Sequence, residues 1–457
     1  MTLRWRVGWG VWFLMLALAG WAQCASLKAG VARADITPSI GLPLWGFAGR
    51  KAPATGARDP LFARVLVLES GGTRIALVAL DLGRPFGPDS LRRLRAQAKE
   101  SSGIAYVLVV ASHTHSAPVI SDRYPNGTPP WEAATLEKIG KAIDEATRNA
   151  VEARLGTGYG VTYIGHNRLR HNADGSVSWF ERNLTRIPTA PIDPTVSVLR
   201  VDTAEGRPLA ILVNYACHPV IFGPDNLEYS ADYPGVMTKT VEDAFSVQPL
   251  CFFLQGAPGD INPFYAVTPL AEDAVHWRDW TGQHLGEEAA RVAKEIHTEA
   301  PADPGIAYTE TVLTFHLRWD LEKFRQGLLA AMGPQGFAAY ASGLSSEFQL
   351  PVATVLLNRQ IAFLGMPGEP FVNFQINWRD RCPVGDAFFL GYANGYYGYF
   401  PTIEASTQGG YGAASSSTFI EPGAGERMVD QGVIDVYRML GRYHDLPEDL
   451  QPKASSR

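Results

Sequence analysis

The sequence predicts an α/β fold: one large domain over residues 26–446, with a mixed β-sheet, helices packed on it and an active site at the strand ends. Apolar runs of strand length alternate with segments in which apolar residues recur every three to four positions, the spacing of one helix face. No stretch rich in Pro, Gly or Ser divides the chain, and 457 residues are enough for a sizeable core. Residues 447–457 are expected to form a flexible tail.

The apolar pattern predicts each element in turn. Strands are predicted at residues 64–68, 74–82, 106–111, 196–201, 209–215, 249–254, 352–357, 361–364 and 387–390. The run YVLVVA at 106–111 is typical of a strand buried on both faces. Helices are predicted at residues 87–99, 131–151, 281–297 and 426–440, the second from the spacing of Leu136, Ile139 and Ile143.

Residues 1–25 have the pattern of a secretory signal peptide. Arg4 and Arg6 precede an apolar run, and residues 22–25 supply small side chains for cleavage. A retained membrane anchor is the alternative, but the apolar run is shorter than the roughly 20 residues that span a bilayer. Lipid attachment at Cys24 is a weaker alternative, because the residues before it fit a lipoprotein cleavage site poorly. We therefore expect a secreted or periplasmic mature chain without a transmembrane segment.

Charge and cysteine content exclude several classes of partner and cofactor. Lys and Arg number 40 against 46 Asp and Glu, so no basic excess favours nucleic acid as a partner. No CxxC pair is present, which excludes zinc held by cysteines. Cys217 and Cys251 could form a bridge between neighbouring strands, but two small buried thiols are the favoured interpretation.

Two histidines directly follow the buried strand at 106–111. His113 and His115 are two residues apart, so in extended backbone both side chains point to the same side and can reach one site. Strand ends are where α/β sheets build their sites. A pair of histidines in a surface loop is the alternative, since HxH alone is a weak pattern.

A third histidine and a carboxylate occupy matching positions. His218 follows the strand at 209–215, and Glu369 follows the strand at 361–364. A carboxylate between Gly368 and Pro370 has no evident packing role, and neutral imidazoles with a carboxylate suit Zn²⁺. The repeated placement favours a metal site over isolated structural histidines.

Two further segments could serve such a site. Residues 256–263 (GAPGDINP) form a turn after an apolar strand, and residues 394–399 (NGYYGY) cluster tyrosines. Taken alone, the first is a plain Pro/Gly turn and the second is aromatic packing.

In their order along the chain, these segments resemble the amino-terminal catalytic domain of the neutral/alkaline non-lysosomal ceramidases. The similarity begins at residues 30–38 (GVARADITP), like the family's GxxxADIT opening, and extends to Tyr411. Between them lie Ala63-Arg64, Asp81-Leu82-Gly83, the His113 motif, Asn167-Arg168, Cys217-His218-Pro219, Gly259-Asp260 and the tyrosine cluster.

The resemblance implies roles for individual residues. The family's zinc ligands fall on His113, His218, Glu369 and Tyr399. Its second histidine falls on His115, its active-site arginine on Arg168 and its catalytic tyrosine on Tyr411. Tyr399 and Tyr411 keep the family's interval between the zinc-binding and the catalytic tyrosine.

Two departures from the family pattern shape the expected chemistry. Asn262 stands where the family has a serine in its GDxSP turn, so a serine nucleophile is excluded there and a zinc-activated water is expected. We also expect no carboxy-terminal immunoglobulin-like domain of the family's kind.

The expected function is that of a secreted zinc-dependent amidohydrolase that cleaves the N-acyl amide of ceramide or a ceramide-like lipid to a fatty acid and an amine. Its partner is a small-molecule or lipid N-acyl substrate, with Tyr411, His115 and Arg168 as donors to the carbonyl oxygen. Two alternatives are the same zinc site acting on another amide or ester, and a non-catalytic lipid-binding protein.

Overall fold

Two β-sheets packed face to face, with helices on both outer surfaces, form the fold in the computed structural model, which describes residues 26–124, 127–341, 344–443 and 446–450. The predicted α/β fold with a mixed sheet is confirmed. The predicted signal peptide and most of the predicted tail lie outside the described residues.

The strands and helices follow one another with short connections. The strands are β1 Lys28–Asp35, β2 Gly56–Ala57, β3 Phe62–Ser70, β4 Thr73–Leu80, β5 Tyr106–Ala111, β6 Val151–Val161, β7 Gly165–Asn167, β8 Leu169–His171, β9 Val177–Trp179, β10 Thr195–Thr203, β11 Pro208–Tyr215, β12 Glu228–Tyr229, β13 Leu250–Gln255, β14 Ile261–Pro263, β15 Ile306–His316, β16 Glu347–Leu357, β17 Ile361–Gly365, β18 Glu369–Pro370, β19 Asp386–Leu390 and β20 Tyr399–Phe400. The helices are α1 Pro88–Ser102, α2 Pro130–Arg148, α3 Tyr233–Asp243, α4 Ala274–Glu295, α5 Leu321–Tyr340, α6 Val372–Arg381, α7 Ile403–Gln408 and α8 Ala424–Met439.

The larger sheet has eight strands in the order β13-β11-β10-β6-β1-β3-β4-β5. Its two outermost pairs, β11 with β13 and β4 with β5, are parallel, and the other pairs are antiparallel. The sheet curls until its edge strands β13 and β5 come into contact. The smaller sheet has the order β15-β16-β17-β19, and its last pair is also parallel.

Alternating side chains divide the core into layers. Leu66 and Leu212 on one face of the large sheet pack against Val355 and Phe363 of the small sheet. Their neighbours in sequence, such as Val67, face the opposite way and pack under the outer helices, because strand side chains alternate between faces. Helices α1 to α4 cover the large sheet, and α6 and α8 cover the small one.

Every predicted strand and helix is present, but eleven of the twenty strands in the described residues were not predicted, β15 of the small sheet among them, and the helix predicted from residue 281 begins at Ala274. The helix expected to reach residue 151 ends at Arg148, and Val151 begins strand β6. Strands β1 and β6 were also missed. In β6 the strand-disfavouring residues Gly156 and Gly158 are required, because side chains there would overlap Ile296 and the segment that follows α4.

Other expectations concern cysteines and membrane segments. Cys217 and Cys251 are both buried and unbridged, as the favoured interpretation predicted. Among the described residues, no helix has the length and apolar character needed to traverse a lipid bilayer.

Gly30 in β1 lies so close to the backbone of α2 that a substitution there tests the fold. A Cβ on Gly30 would overlap the backbone carbonyl of Ala146 in α2, so Gly30→Ala must push helix and strand apart. We expect the free energy of unfolding in urea to fall by about 1–3 kcal/mol.

Gly305→Ala is the matched control, because a Cβ there meets open space. This substitution should be neutral or slightly stabilising. Equal midpoints for the two variants would contradict the packing of α2 on β1.

Candidate active site

The ends of three strands bring His113, His218 and Glu369 together. His113 follows β5 and His218 follows β11, and the curled sheet draws these strand ends towards each other. The buried amide of Gln255, at the end of β13, links them: its Nε2 donates to the carbonyls of Ser112 at 3.0 Å and of Cys217 at 2.9 Å. Glu369 arrives from the small sheet, after β17.

Backbone carbonyls fix the orientation of both imidazoles. Nδ1 of His113 lies 2.6 Å from the carbonyl oxygen of Gly83, and Nδ1 of His218 lies 3.0 Å from that of Ile261. A carbonyl oxygen only accepts, so each Nδ1 carries the proton and donates it. In the neutral rings, each Nε2 is left with a lone pair.

These lone pairs meet a carboxylate. Oε2 of Glu369 lies 3.0 Å from Nε2 of His218 and 3.6 Å from Nε2 of His113. All three side chains are buried. Three electron-pair donors therefore converge without a proton between them, an arrangement that a cation stabilises. Ligating histidines characteristically donate their second ring N–H to a carbonyl, as both rings do here.

The electrostatics agree with this donor set. Burial lowers the pKa of His113 to about 4, and burial together with the nearby Arg168 lowers the pKa of His218. Burial opposes ionisation of Glu369, yet the facing imidazoles and the hydroxyl of Tyr396 leave the pKa of its carboxyl below the ordinary value. Two neutral imidazoles and one carboxylate are ligands that suit a divalent ion such as zinc.

A segment of tyrosines, residues 392–399, supports this group from one side. The hydroxyl of Tyr396 donates to Oε1 of Glu369 at 2.6 Å, which leaves Oε2 for the two histidines. The ring of Tyr392 stacks on His113 with centroids 4.1 Å apart. Asn394 anchors the segment to β5, because its backbone N–H donates to the carbonyl of Val109 and its Oδ1 accepts from the N–H of Val109.

Arg168 is buried after β7 and contacts Tyr399, the last residue of the tyrosine segment. Its Nη1 donates to Oδ1 of Asn262 at 3.0 Å, and its Nη2 donates to the carbonyl of Gly259 at 2.7 Å and to the hydroxyl of Tyr399 at 2.9 Å. Tyr399 pairs in register with Glu369 through β20 and β18. The turn at 256–263, which taken alone is a plain turn, thus positions Arg168.

His115 and Tyr411 also lie next to the group. Nε2 of His115 lies 3.2 Å from Nε2 of His113, and its ring packs edge-on against Phe47. Tyr411 is 46% exposed, with its ring 5.5 Å from that of Tyr399. Among the described residues, the hydroxyl of Tyr411 makes no hydrogen bond.

Several buried polar atoms around the group have no partner within the described chain. They are Nδ1 of His115, Nε of Arg168 and the hydroxyl of Tyr392. Unpaired buried polar atoms are costly, so their concentration here is typical of a site that receives a ligand or water.

Three residues of this region were not predicted from the sequence. Tyr396 belongs to the tyrosine cluster at 394–399 and Tyr392 lies just before it, and only the carboxylate and imidazole beside them distinguish their roles from aromatic packing. Trp179, whose ring lies over the guanidinium of Arg168 at 5.0 Å, is in a segment with no motif. Its one signal is a pair of adjacent large rings, Trp179 and Phe180, in a mostly polar stretch.

Comparison with known proteins decides the family. The profile described as neutral/alkaline non-lysosomal ceramidase, N-terminal, matches residues 27–266, more than half of the chain. This chain belongs to the neutral/alkaline non-lysosomal ceramidase family. The resemblance predicted from the sequence is therefore confirmed.

Solved ceramidase structures share the fold. The crystal structure of neutral ceramidase from Pseudomonas aeruginosa gives a TM-score of 0.73 at 19% identity, over 94% of this chain and 77% of that chain. A ceramidase complexed with C2 gives 0.72 at 19% identity, over 94% of this chain and 78% of that chain.

The contact between Tyr396 and Glu369 predicts an effect on metal affinity. Tyr396→Phe keeps the ring but removes the hydroxyl that holds Oε1, so the carboxylate loses its orientation. We expect the affinity for zinc to fall about 10- to 100-fold, measured by competition with a chelating dye.

Tyr397→Phe is the matched control for this measurement. It removes the neighbouring hydroxyl, which makes no hydrogen bond in the described part of the chain. Unchanged zinc affinity in Tyr396→Phe would show that the hydroxyl does not orient Glu369.

Proposed function

We propose that this protein is a secreted, zinc-dependent amidohydrolase that cleaves the N-acyl amide of ceramide or a ceramide-like lipid, releasing a fatty acid and a sphingoid base. His113, His218, Glu369 and Tyr399 would hold the metal. Residues 1–25 would serve as a cleaved signal peptide, and residues 26–446 as the catalytic domain. The family supports the amide substrate, and the buried donor set supports the metal.

The convergence of two Nε2 lone pairs on Oε2 of Glu369 is the observation that carries this proposal. Both imidazoles are oriented by backbone carbonyls rather than by each other, so the site is built before any ligand enters. When bound there, zinc supplies Lewis acidity that polarises a carbonyl and brings the pKa of a coordinated water to about 7.

The remaining residues would bind the amide and handle protons. Hydrolysis places negative charge on the carbonyl oxygen, and a donor aimed at that oxygen stabilises it. Tyr411 is suited to this role, because its hydroxyl has no partner within the described chain and its ring contacts Tyr399. His115 would carry a proton to the leaving amine, since its ring lies next to His113 and its Nδ1 is unpartnered.

Arg168 would act on the site through Tyr399. Both of its terminal nitrogens already donate to protein oxygens, one of them the hydroxyl of Tyr399. Burial raises the pKa of the Tyr399 hydroxyl, and the cationic donor on that oxygen opposes this by favouring the negatively charged phenol, the form in which tyrosine binds a metal. Asn262 accepts a hydrogen bond from Arg168, so its side chain would orient the arginine rather than act as a nucleophile.

If the proposed function is right, substitution of His113 abolishes metal binding and turnover, whereas substitution of His115 reduces turnover alone. His113→Ala should lose bound zinc and activity together, because a ligand is removed. His115→Ala should keep about one zinc per chain while turnover of an N-acyl sphingosine falls about 10²- to 10⁴-fold. Elemental mass spectrometry and fatty-acid release measure the two quantities on the same preparations.

His316→Ala is the control, because this histidine of β15 is exposed and its side chain makes no hydrogen bond or ion pair with a site residue in the described part of the chain. Full activity of zinc-free wild-type protein would contradict the metal mechanism. Zinc binding with intact ceramide after long incubation would favour a lipid-binding protein, and hydrolysis of other amides or esters alone would favour a different substrate.

A further inference from the structure

A short hairpin borders the proposed site on its solvent side. Strands β8 and β9 pair antiparallel, with Leu169 opposite Trp179. The hairpin packs on the loop that carries Tyr411, where Val177 leaves so little space beside Gly410 that a side chain there would be crowded. The hairpin and the Tyr411 loop therefore form one continuous surface.

Three aromatic rings lead from solvent to the buried arginine. The rings of Trp179 and Tyr411 meet edge to face with centroids 4.8 Å apart, and Tyr411 meets Tyr399 at 5.5 Å. The guanidinium of Arg168 lies 5.0 Å from the ring of Trp179 and 5.3 Å from that of Tyr411. The buried guanidinium of Arg168 thus packs against the rings of Trp179 and Tyr411 and fixes one side of the surface that they form, here called the aromatic wall.

The other side of the wall is open. Trp179 is 44% exposed and Tyr411 is 46% exposed. Two large rings held next to a polar site, with apolar surface left uncovered, match a ligand that has an apolar chain joined to a polar reacting group. The indole N–H can remain in water while its ring face covers methylenes.

We propose that Trp179 forms, with Tyr411, the wall on which the acyl chain of the substrate lies, and that Trp179 thereby determines acyl-chain-length preference. This inference rests on the proposed function. The acyl rather than the sphingoid chain is assigned because Tyr411 is the proposed donor to the acyl carbonyl oxygen. The rings of Tyr399 and Trp179 both contact Tyr411, and of these Tyr399 is buried whereas Trp179 is exposed, so the carbons next to that carbonyl adjoin Trp179.

Comparison of two ceramides that differ only in the acyl chain tests this assignment. For Trp179→Ala we expect the ratio of kcat/KM for N-hexadecanoyl sphingosine to kcat/KM for N-acetyl sphingosine to fall about tenfold. Trp179→Phe should fall between wild type and Trp179→Ala for the long chain. Equal losses for both substrates, or no loss for either, would overturn the assignment.

Tyr159→Ala is the matched control, because Tyr159 is an equally exposed aromatic residue (44%). It contacts Asp386 at the start of β19, whereas the tyrosine segment of the site follows the end of that strand. Its chain-length preference should equal that of wild type. Thermal melts establish that each variant is folded, and Trp179→Leu replaces Trp179→Ala if the latter does not fold.

A binding measurement separates this inference from the proposed function. If wild-type protein hydrolyses neither ceramide, the proposed function fails, and calorimetry with hexadecanoate and acetate then tests the wall without turnover. Binding of hexadecanoate that weakens about tenfold in Trp179→Ala supports the wall. Equal binding by wild type and Trp179→Ala, or none by either, overturns it.

Discussion

The convergence of two imidazole lone pairs on one carboxylate oxygen is the constraint on which the rest of the site depends. His113 and His218 each give their Nδ1 proton to a backbone carbonyl, so neither can offer a proton to Glu369 through Nε2. Without a cation, such an arrangement is electrostatically unfavourable in a buried site. With one, the same geometry becomes a rigid set of ligands, and the family's hydrolytic chemistry has a physical basis.

The fold satisfies this constraint by bringing together strand ends that are distant in sequence. The large sheet curls so that its edge strands meet, and Gln255 ties together the peptides next to His113 and His218. Asn394 then fastens the tyrosine segment to β5. His113 has a left-handed backbone, with φ of 70°, which non-glycine residues rarely adopt and which the surrounding hydrogen bonds sustain.

Much of the fold could be predicted because its buried strands are long apolar runs, such as YVLVVA in β5. Strand β6 could not, because the residues that make room for α4 are glycines, which argue locally against a strand. Placement at strand ends brought His113, His218 and Glu369 into one prediction. The role of Tyr396 was not predicted, because it depends on a hydrogen bond to Glu369. These two residues are 27 positions apart in sequence and meet only in the folded chain.

Anomalous diffraction at the zinc absorption edge, from crystals of the mature protein, tests directly whether the side chains of His113, His218 and Glu369 bind zinc. We expect one strong peak, about 2.0–2.2 Å from Nε2 of His113, Nε2 of His218 and Oε2 of Glu369. A peak elsewhere, or none in crystals of protein that still releases fatty acid from ceramide, would contradict this expectation.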